Sequence, residues 1–228
     1  MKILYAASEA VPFCKTGGLA DVAGSLPAAL AAQGADVAVV LPLYQKVKEK
    51  FSDQLHFECY DYVDLAWRHS YCGLFSMERD GVTWYFLDNE QYFRRPELYG
   101  YMDDGERFGV FSRAVVRMLP HLRFWPEVIH CNDWQTALVP IYLKDDSVRE
   151  ERFRSIRTVL SIHNIEYQGR YGREILEYVL GIDDAHFRSG FMAMDGDVNL
   201  MKAAIVASTA VTTVSPTYAA EIQTEYYG

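Results

Sequence analysis

Short apolar runs and longer amphipathic stretches alternate along most of this sequence. The apolar runs have the length and composition of strands buried on both faces: residues 3–7, 36–41, 128–131, 158–162 and 211–214. Apolar positions at helical spacing predict helices beside them: residues 19–33, 106–119 and 201–208. A strand, a helix and a second strand within residues 1–41 form one βαβ unit, which predicts a parallel sheet with right-handed crossovers.

A different pattern occupies residues 56–87. Runs rich in Tyr, Val, Phe and Trp alternate there with Gly73 and with Asp80-Gly81, a pair typical of a tight hairpin turn. These runs predict antiparallel strands. The sequence therefore predicts an α/β protein with a Rossmann-like, mainly parallel sheet and an antiparallel β insertion.

Proline and polar residues predict several element boundaries. Pro27 lies inside the first helical stretch and is expected to kink it. Trp134 is expected to open a helix that reaches residue 143, and Ser215-Pro216 has the N-cap-then-proline pattern of a helix start. Residues 88–104 are expected to form a long loop whose tyrosines either bind sugar or cover the core.

Composition narrows the classes of function. The chain has 228 residues and a net charge of −9, which disfavours nucleic-acid binding but suits a neutral polyol. No stretch approaches the roughly 20 apolar residues of a membrane span. The histidines and the four cysteines show no metal-ligand spacing, and the cysteines read as reduced thiols. We expect a cytoplasmic protein with no metal, nucleic-acid or membrane partner.

A glycine-containing segment between the first strand and the first helix contains Lys15, Thr16, Gly17, Gly18 and Asp21. Two glycines let backbone approach a ligand, the N–H groups of a helix start attract anions, and the lysine suits a phosphate. A carboxylate follows on the first helical turn. This arrangement fits a nucleotide sugar. A plain strand-to-helix turn is an equally good interpretation, because neither the dinucleotide nor the Walker spacing is present.

Polar clusters follow four of the predicted parallel strands, at the edge where such sheets bind ligands: residues 15–21, 132–134, 163–164 and Ser215. His163 and Asn164 precede a polar loop that contains a glycine, which favours a site role for the histidine. Asp133 has two interpretations, a site carboxylate and a helix N-cap.

Residues 8–22 resemble the N-terminal signature of bacterial glycogen synthases and plant starch synthases. These are retaining glycosyltransferases that extend an α-1,4-glucan from ADP-glucose. Residues 161–169, residues 213–219 and the Asp133-Trp134 pair are similar to further hallmarks of the family. The resemblance implies that residues 1–228 are the N-terminal half of a two-Rossmann (GT-B type) enzyme. The C-terminal half, absent from this chain, would form the other wall of the cleft.

The resemblance also implies roles for individual residues. The His163 ring would contact a hydroxyl of the donor glucose, Asp133 would lie near the acceptor, and Tyr99 is the best match to a loop tyrosine near the donor. The predicted catalytic residues are Asp21, Asp133 and His163. The predicted substrate-binding residues are Lys15, Thr16, Gly17, Gly18, Tyr99, Trp134 and Asn164.

The predicted function is retaining transfer of glucose from ADP-glucose to the 4-hydroxyl at the non-reducing end of an α-1,4-glucan, without a cofactor. The 228 residues alone are expected to be inactive, since one half lacks the other wall of the cleft. A non-catalytic glucan-binding domain and a synthase that uses UDP-glucose stay open as alternatives. An epimerase would need the dinucleotide fingerprint, and a phosphorylase would need a Schiff-base lysine.

Overall fold

The computed structural model describes residues 1–227 and contains one large and one small sheet. The strands of the large sheet are β1 Lys2–Ala6, β2 Asp36–Pro42, β3 His56–Leu65, β4 Arg68–Arg79, β5 Val82–Asp88, β6 Val128–Asn132, β7 Arg157–Ile162 and β11 Ala210–Thr213. The small sheet contains β8 Arg170–Tyr171, β9 Ala193–Met194 and β10 Asp197–Asn199. Helices α1 to α8 span Gly18–Ala32, Gln45–Phe51, Glu90–Phe93, Asp104–Met118, Val139–Asp146, Ala185–Arg188, Leu200–Ala207 and Pro216–Glu221.

The large sheet has the strand order β11-β7-β6-β1-β2-β5-β4-β3. Every neighbouring pair from β11 to β5 is parallel, as the predicted βαβ unit requires. The central strands are apolar because both of their faces are covered, and Leu4, Tyr5, Val39 and Val40 are buried. The predicted Rossmann-like parallel sheet is confirmed.

The predicted antiparallel insertion is β3, β4 and β5, and it lengthens the large sheet. Asp80 and Gly81 both have positive φ, 53° and 74°, as a two-residue hairpin turn requires. Strand β5 pairs antiparallel with β4 and parallel with β2. The insertion therefore joins the parallel strands through β5, and β3 becomes the edge strand.

Helix α1 continues through Pro27, whose ring is buried, and the kink expected there stays a prediction. The predicted start of the helix after β6 is wrong. Trp134 opens only the 3₁₀ turn Trp134–Thr136, and α5 begins at Val139 with a proline in its first turn. The Thr136 hydroxyl bonds both the N–H and the carbonyl of Asn132, which ties this turn to the end of β6. The predicted cap at Ser215 is confirmed, because its side chain accepts from the N–H of Tyr218.

Candidate active site

A cavity of about 870 Å³ opens at the carboxyl ends of β1, β6 and β7. Eight of the ten predicted site residues line it: Thr16, Gly17, Gly18, Tyr99, Asp133, Trp134, His163 and Asn164. The lining also includes Glu9 and Gln135, which sequence analysis did not select. Three of the four predicted polar clusters thus meet in one place, as expected for the edge of a parallel sheet.

A larger cavity, about 1070 Å³, lies beside β11, α7 and α8. Its lining is mostly aliphatic, and it includes Ser215, the fourth predicted polar residue. The Ser215 hydroxyl is engaged as the cap of α8, so it does not join the polar cavity. The predicted polar site residues therefore line the smaller of these two cavities.

The glycine-containing segment is anchored by a buried carboxylate. Glu9 is only 3% exposed, and its Oε2 accepts from the Thr16 N–H, from the Thr16 hydroxyl at 2.9 Å and from the Gly17 N–H at 3.4 Å. One glycine N–H group predicted to bind phosphate, that of Gly17, is thus occupied by a protein group, together with the N–H of Thr16. A charged residue shortly after the end of a buried strand was the signal for Glu9 in the sequence.

Helix α1 still offers free donors at its start. Its N-cap, Gly17, provides no side-chain acceptor, and the first N–H groups of any helix lack a partner within the helix. Among residues 1–227, no protein acceptor reaches the N–H of Gly18 or Leu19. The N–H groups still available for the predicted phosphate contact are therefore those on the first turn of α1.

Lys15 and Asp21 bond to each other outside the cavity lining. The lysine Nζ lies 2.7 Å from both carboxylate oxygens of the aspartate, and the side chains are 49% and 57% exposed. Exposed ion pairs of this kind contribute roughly 0–1 kcal/mol. The pair is therefore weak enough to open when an anion competes for the lysine, but the structure does not bring either residue to the other eight.

Asp133 connects the ends of two strands. Its Oδ1 accepts from the N–H of His163 at 2.7 Å and from the N–H of Asn164 at 3.3 Å. It does not cap the turn that follows it, so the N-cap interpretation is wrong. Its φ of 55° is rare for a residue other than glycine, a strain typical of functional sites. Burial raises the pKa of the carboxyl to about 6, although these two N–H groups lower it.

His163 is held in one tautomer by a buried amide. Asn132 donates from Nδ2 to the carbonyl of Ala6, and its Oδ1 accepts from the Tyr5 hydroxyl at 2.8 Å. The His163 Nε2 lies 2.9 Å from the same oxygen, so Nε2 carries the proton and Nδ1 is an acceptor. Burial lowers the pKa of His163 to about 4. The ring is therefore neutral near pH 7 and can accept a hydrogen bond from a hydroxyl.

Tyr99 reaches the cavity from the long loop that follows β5. Its hydroxyl lies 2.7 Å from Oγ of Ser8. The loop is held by Arg107, which is fully buried and donates to the carbonyls of Tyr92 and Leu98 while pairing with Asp104. A buried guanidinium needs such partners, and breaking this set would leave a charge uncompensated. The core-covering interpretation holds for Tyr92, whereas Tyr99 lines the cavity.

Trp134 and Gln135 complete the wall next to Asp133. The indole packs edge to face on Phe108, with ring centroids 5.3 Å apart. The buried Oε1 of Gln135 finds no hydrogen-bond partner within the described part of the chain.

Residues 1–227 contain no group of three or more histidine, cysteine or acidic side chains arranged to hold a metal ion. None of the helices in that range has the length and apolarity that crossing a bilayer demands.

Comparisons with known proteins agree on one family. The family model of the starch synthase catalytic domain matches residues 2–228. The glycogen synthases of Clostridium novyi (strain NT) and Geobacillus stearothermophilus are each 48% identical to this chain over its full length. The match covers 48% of the Clostridium novyi protein and 47% of the Geobacillus stearothermophilus protein. A solved structure, the catalytic domain of starch synthase IV from Arabidopsis thaliana bound to ADP and acarbose, is also similar. It has a TM-score of 0.86 at 31% identity, over 99% of this chain and 47% of that one. The chain spans about half the length of these relatives.

Proposed function

We propose that this chain, which belongs to the family of starch synthase catalytic domains, supplies one wall of the active site of a retaining glucosyltransferase. The proposed reaction moves glucose from ADP-glucose to the 4-hydroxyl at the non-reducing end of an α-1,4-glucan. The name glycogen synthase among its relatives and the ADP bound to the similar plant domain support these substrates. The observation that carries the proposal is the single cavity into which eight predicted residues converge.

The geometry suits a donor with a charged end and a neutral end. The N–H groups of Gly18 and Leu19, with Lys15 released from Asp21, would stabilise the departing diphosphate. The neutral His163 would accept from a glucose hydroxyl at Nδ1 without adding positive charge beside the anomeric carbon. Asp133 would act by holding the backbone of His163 and Asn164 in place.

The proposed transfer exchanges one bond at the anomeric carbon for another. The bond to the diphosphate oxygen breaks, the bond to the acceptor 4-oxygen forms on the same face, and the acceptor proton leaves with the diphosphate. Preorganised donors that face the developing negative charge usually supply the largest part of such a rate enhancement. The proposal includes no metal or other cofactor. Four unpaired cysteines support a cytoplasmic location.

The proposal expects the remaining length of the relatives to form the other wall of the cleft. The test measures ADP release from ADP-glucose with a glycogen primer, by this chain alone and by this chain joined to the second half of the Geobacillus stearothermophilus enzyme. We expect release only from the joined protein and loss of release when it carries His163→Ala. Release by the chain alone would mean that it holds a whole active site.

Two further outcomes would change the proposal. Glucan binding without any ADP release by the joined protein would favour a non-catalytic glucan-binding domain. Faster release from UDP-glucose than from ADP-glucose would change the donor. Cooperative unfolding of the joined protein, measured beforehand, is the control that its two halves are folded.

A further inference from the structure

Asn132 and Asp133 follow one another at the end of β6 and hold different parts of the same residue. The Asn132 Oδ1 lies 2.9 Å from the ring Nε2 of His163, whereas the Asp133 Oδ1 accepts from the backbone N–H of His163 at 2.7 Å. Asn132 is fully buried and does not line the cavity, so it would act on a ligand only through His163. The neutral side chain of this pair therefore holds the ring, and the acidic one holds the backbone.

The orientation of the Asn132 amide is fixed by its neighbours. The carbonyl oxygen of Ala6 can only accept, and Asn132 Nδ2 donates to it at 2.9 Å. The Asn132 Oδ1 must then face the Tyr5 hydroxyl, 2.8 Å away, and the His163 ring. Both of these groups therefore donate to the same oxygen. Tyr5 is fully buried, and a buried hydroxyl needs such a partner.

A carboxylate at the position of Asn132 would hold the same ring in a different state. An opposite charge at hydrogen-bond distance favours the imidazolium and raises the pKa of a histidine by about 1–3 units. An amide oxygen accepts the same N–H without adding a charge. Because an imidazolium carries a proton on both nitrogens, Nδ1 would then no longer accept from a sugar hydroxyl.

The other titratable groups around the His163 ring do not replace Asn132 as its partner. They are Tyr5 on β1, His130 on β6, Asp133 at the end of β6, and Glu9, Tyr99, Asp104 and Tyr167 around the cavity. Within residues 1–227 the ring hydrogen-bonds only to Asn132, and burial is the cause that lowers its pKa. His130 has a neutral partner of its own, since its Nε2 lies 2.6 Å from the Ser161 hydroxyl. Burial lowers the pKa of His130 to about 4 as well.

We propose that the order of Asn132 and Asp133 sets the state of His163, with Asn132 as a positioning residue that keeps the ring neutral and leaves Nδ1 free to accept from the donor glucose. The inference rests on the proposed function for the identity of the donor. Positive charge develops at the anomeric carbon during the proposed transfer, so an imidazolium there would oppose the transition state. The carboxylate next in the chain is kept on the backbone N–H groups instead.

The first test observes the ring directly, in long-range proton–nitrogen correlation spectra of the 228-residue chain at about pH 7. The signals of His163 are identified by their loss in His163→Ala. We expect the Nε2–H tautomer in the unmodified chain. In Asn132→Asp the pKa of His163 should rise from about 4 to about 6 or higher.

Two further variants separate the position of the charge from its presence. Exchange of the two side chains, Asn132→Asp with Asp133→Asn, keeps the net charge and should raise the pKa of His163 as Asn132→Asp does. Asp133→Asn alone should not raise it. The matched control is Ser161→Ala, which removes the partner of His130 on the same two strands and should leave the His163 signals in the same tautomer.

The second test measures ADP release by the joined protein as a function of pH. In Asn132→Asp, kcat should fall about tenfold for each pH unit below the raised pKa of His163, while the KM for ADP-glucose stays within about twofold. Ser161→Ala should keep the pH profile of the unmodified protein. A loss of kcat that is equal at every pH would indicate only a structural role for Asn132 and would overturn the inference.

The outcomes separate this inference from the proposed function. An Nδ1–H tautomer or a protonated ring in the unmodified chain at about pH 7 would overturn it, as would an unchanged pKa of His163 in Asn132→Asp. These readings need no substrate. If the unmodified joined protein releases no ADP, the proposed function fails, and the spectra still decide whether Asn132 sets the ring. Thermal unfolding checks the fold of each variant, and the tautomer of the unmodified chain decides the matter if Asn132→Asp does not fold.

Discussion

Asp133→Asn is expected to stabilise the folded chain while it impairs catalysis. Burial raises the pKa of this carboxyl from 3.8 to about 6. The folded state therefore binds the proton more tightly than the unfolded state, so the stability contributed by protonated Asp133 is present below about pH 4 and is lost as the pH rises to about 6. The difference between the two pKa values means that burying the charged carboxylate lowers the free energy of unfolding by about 3 kcal/mol above pH 6. Asparagine tolerates the same positive φ and keeps the two acceptor bonds, but it has no charge to bury.

The assay is urea unfolding followed by tryptophan fluorescence, at about pH 4.5 and about pH 8. The variant should gain up to about 3 kcal/mol at the higher pH and much less at the lower one. Asp36→Asn, which removes an exposed carboxylate at the start of β2, should have little effect at either pH. In the joined protein, Asp133→Asn should lower turnover by about tenfold, because a neutral amide oxygen holds the N–H groups of His163 and Asn164 less firmly than a carboxylate does. A gain that does not depend on pH, or a destabilised variant at pH 8, would refute this reasoning.

Three other predictions concern Lys15, two glycines of α1 and the absence of a metal. Lys15→Ala in the joined protein should lower turnover by at least about tenfold, with exposed Lys46→Ala as its control; unchanged kinetics would exclude a phosphate role for Lys15. Gly24→Ala should cost about 2 kcal/mol in urea unfolding, because its Cβ would lie 2.3 Å from Val11 Cγ2 and 2.7 Å from the Val11 carbonyl oxygen. Gly18→Ala, whose Cβ meets nothing within 4 Å, should leave stability nearly unchanged, and equal effects of the two would contradict the packing. Treatment with EDTA should leave ADP release unchanged; a loss that Mg²⁺ restores would show that the reaction needs a metal.

The sequence predicts most of the residues that line the site, but it does not predict the hydrogen bonds that these residues make. The glycine-containing segment, Asp133, His163 and Asn164 all follow buried strands, so the sheet brings them to one edge. Glu9 was missed as a site residue because its role depends on the N–H groups of Thr16 and Gly17, which only the folded loop turns toward it. The sequence of residues 170–199 predicts no helix or strand. The strands there are two or three residues long, too short to show a period.

The sequence by itself determined the parallel strands, the hairpin at Asp80-Gly81 and the helix cap at Ser215. Each is a local pattern, in which burial on two faces, positive φ or a side-chain oxygen acts within a few residues. Only the tertiary structure decided that Lys15 pairs with Asp21, that Asp133 holds the start of the next loop at His163, and that Tyr71 lies over Gly73. Asp133 and His163 are 30 residues apart. Hydrophobic periodicity shows which face of an element is buried. A hydrogen bond between residues at the ends of two strands also depends on the relative position of those strands, which is fixed only when the sheet has assembled.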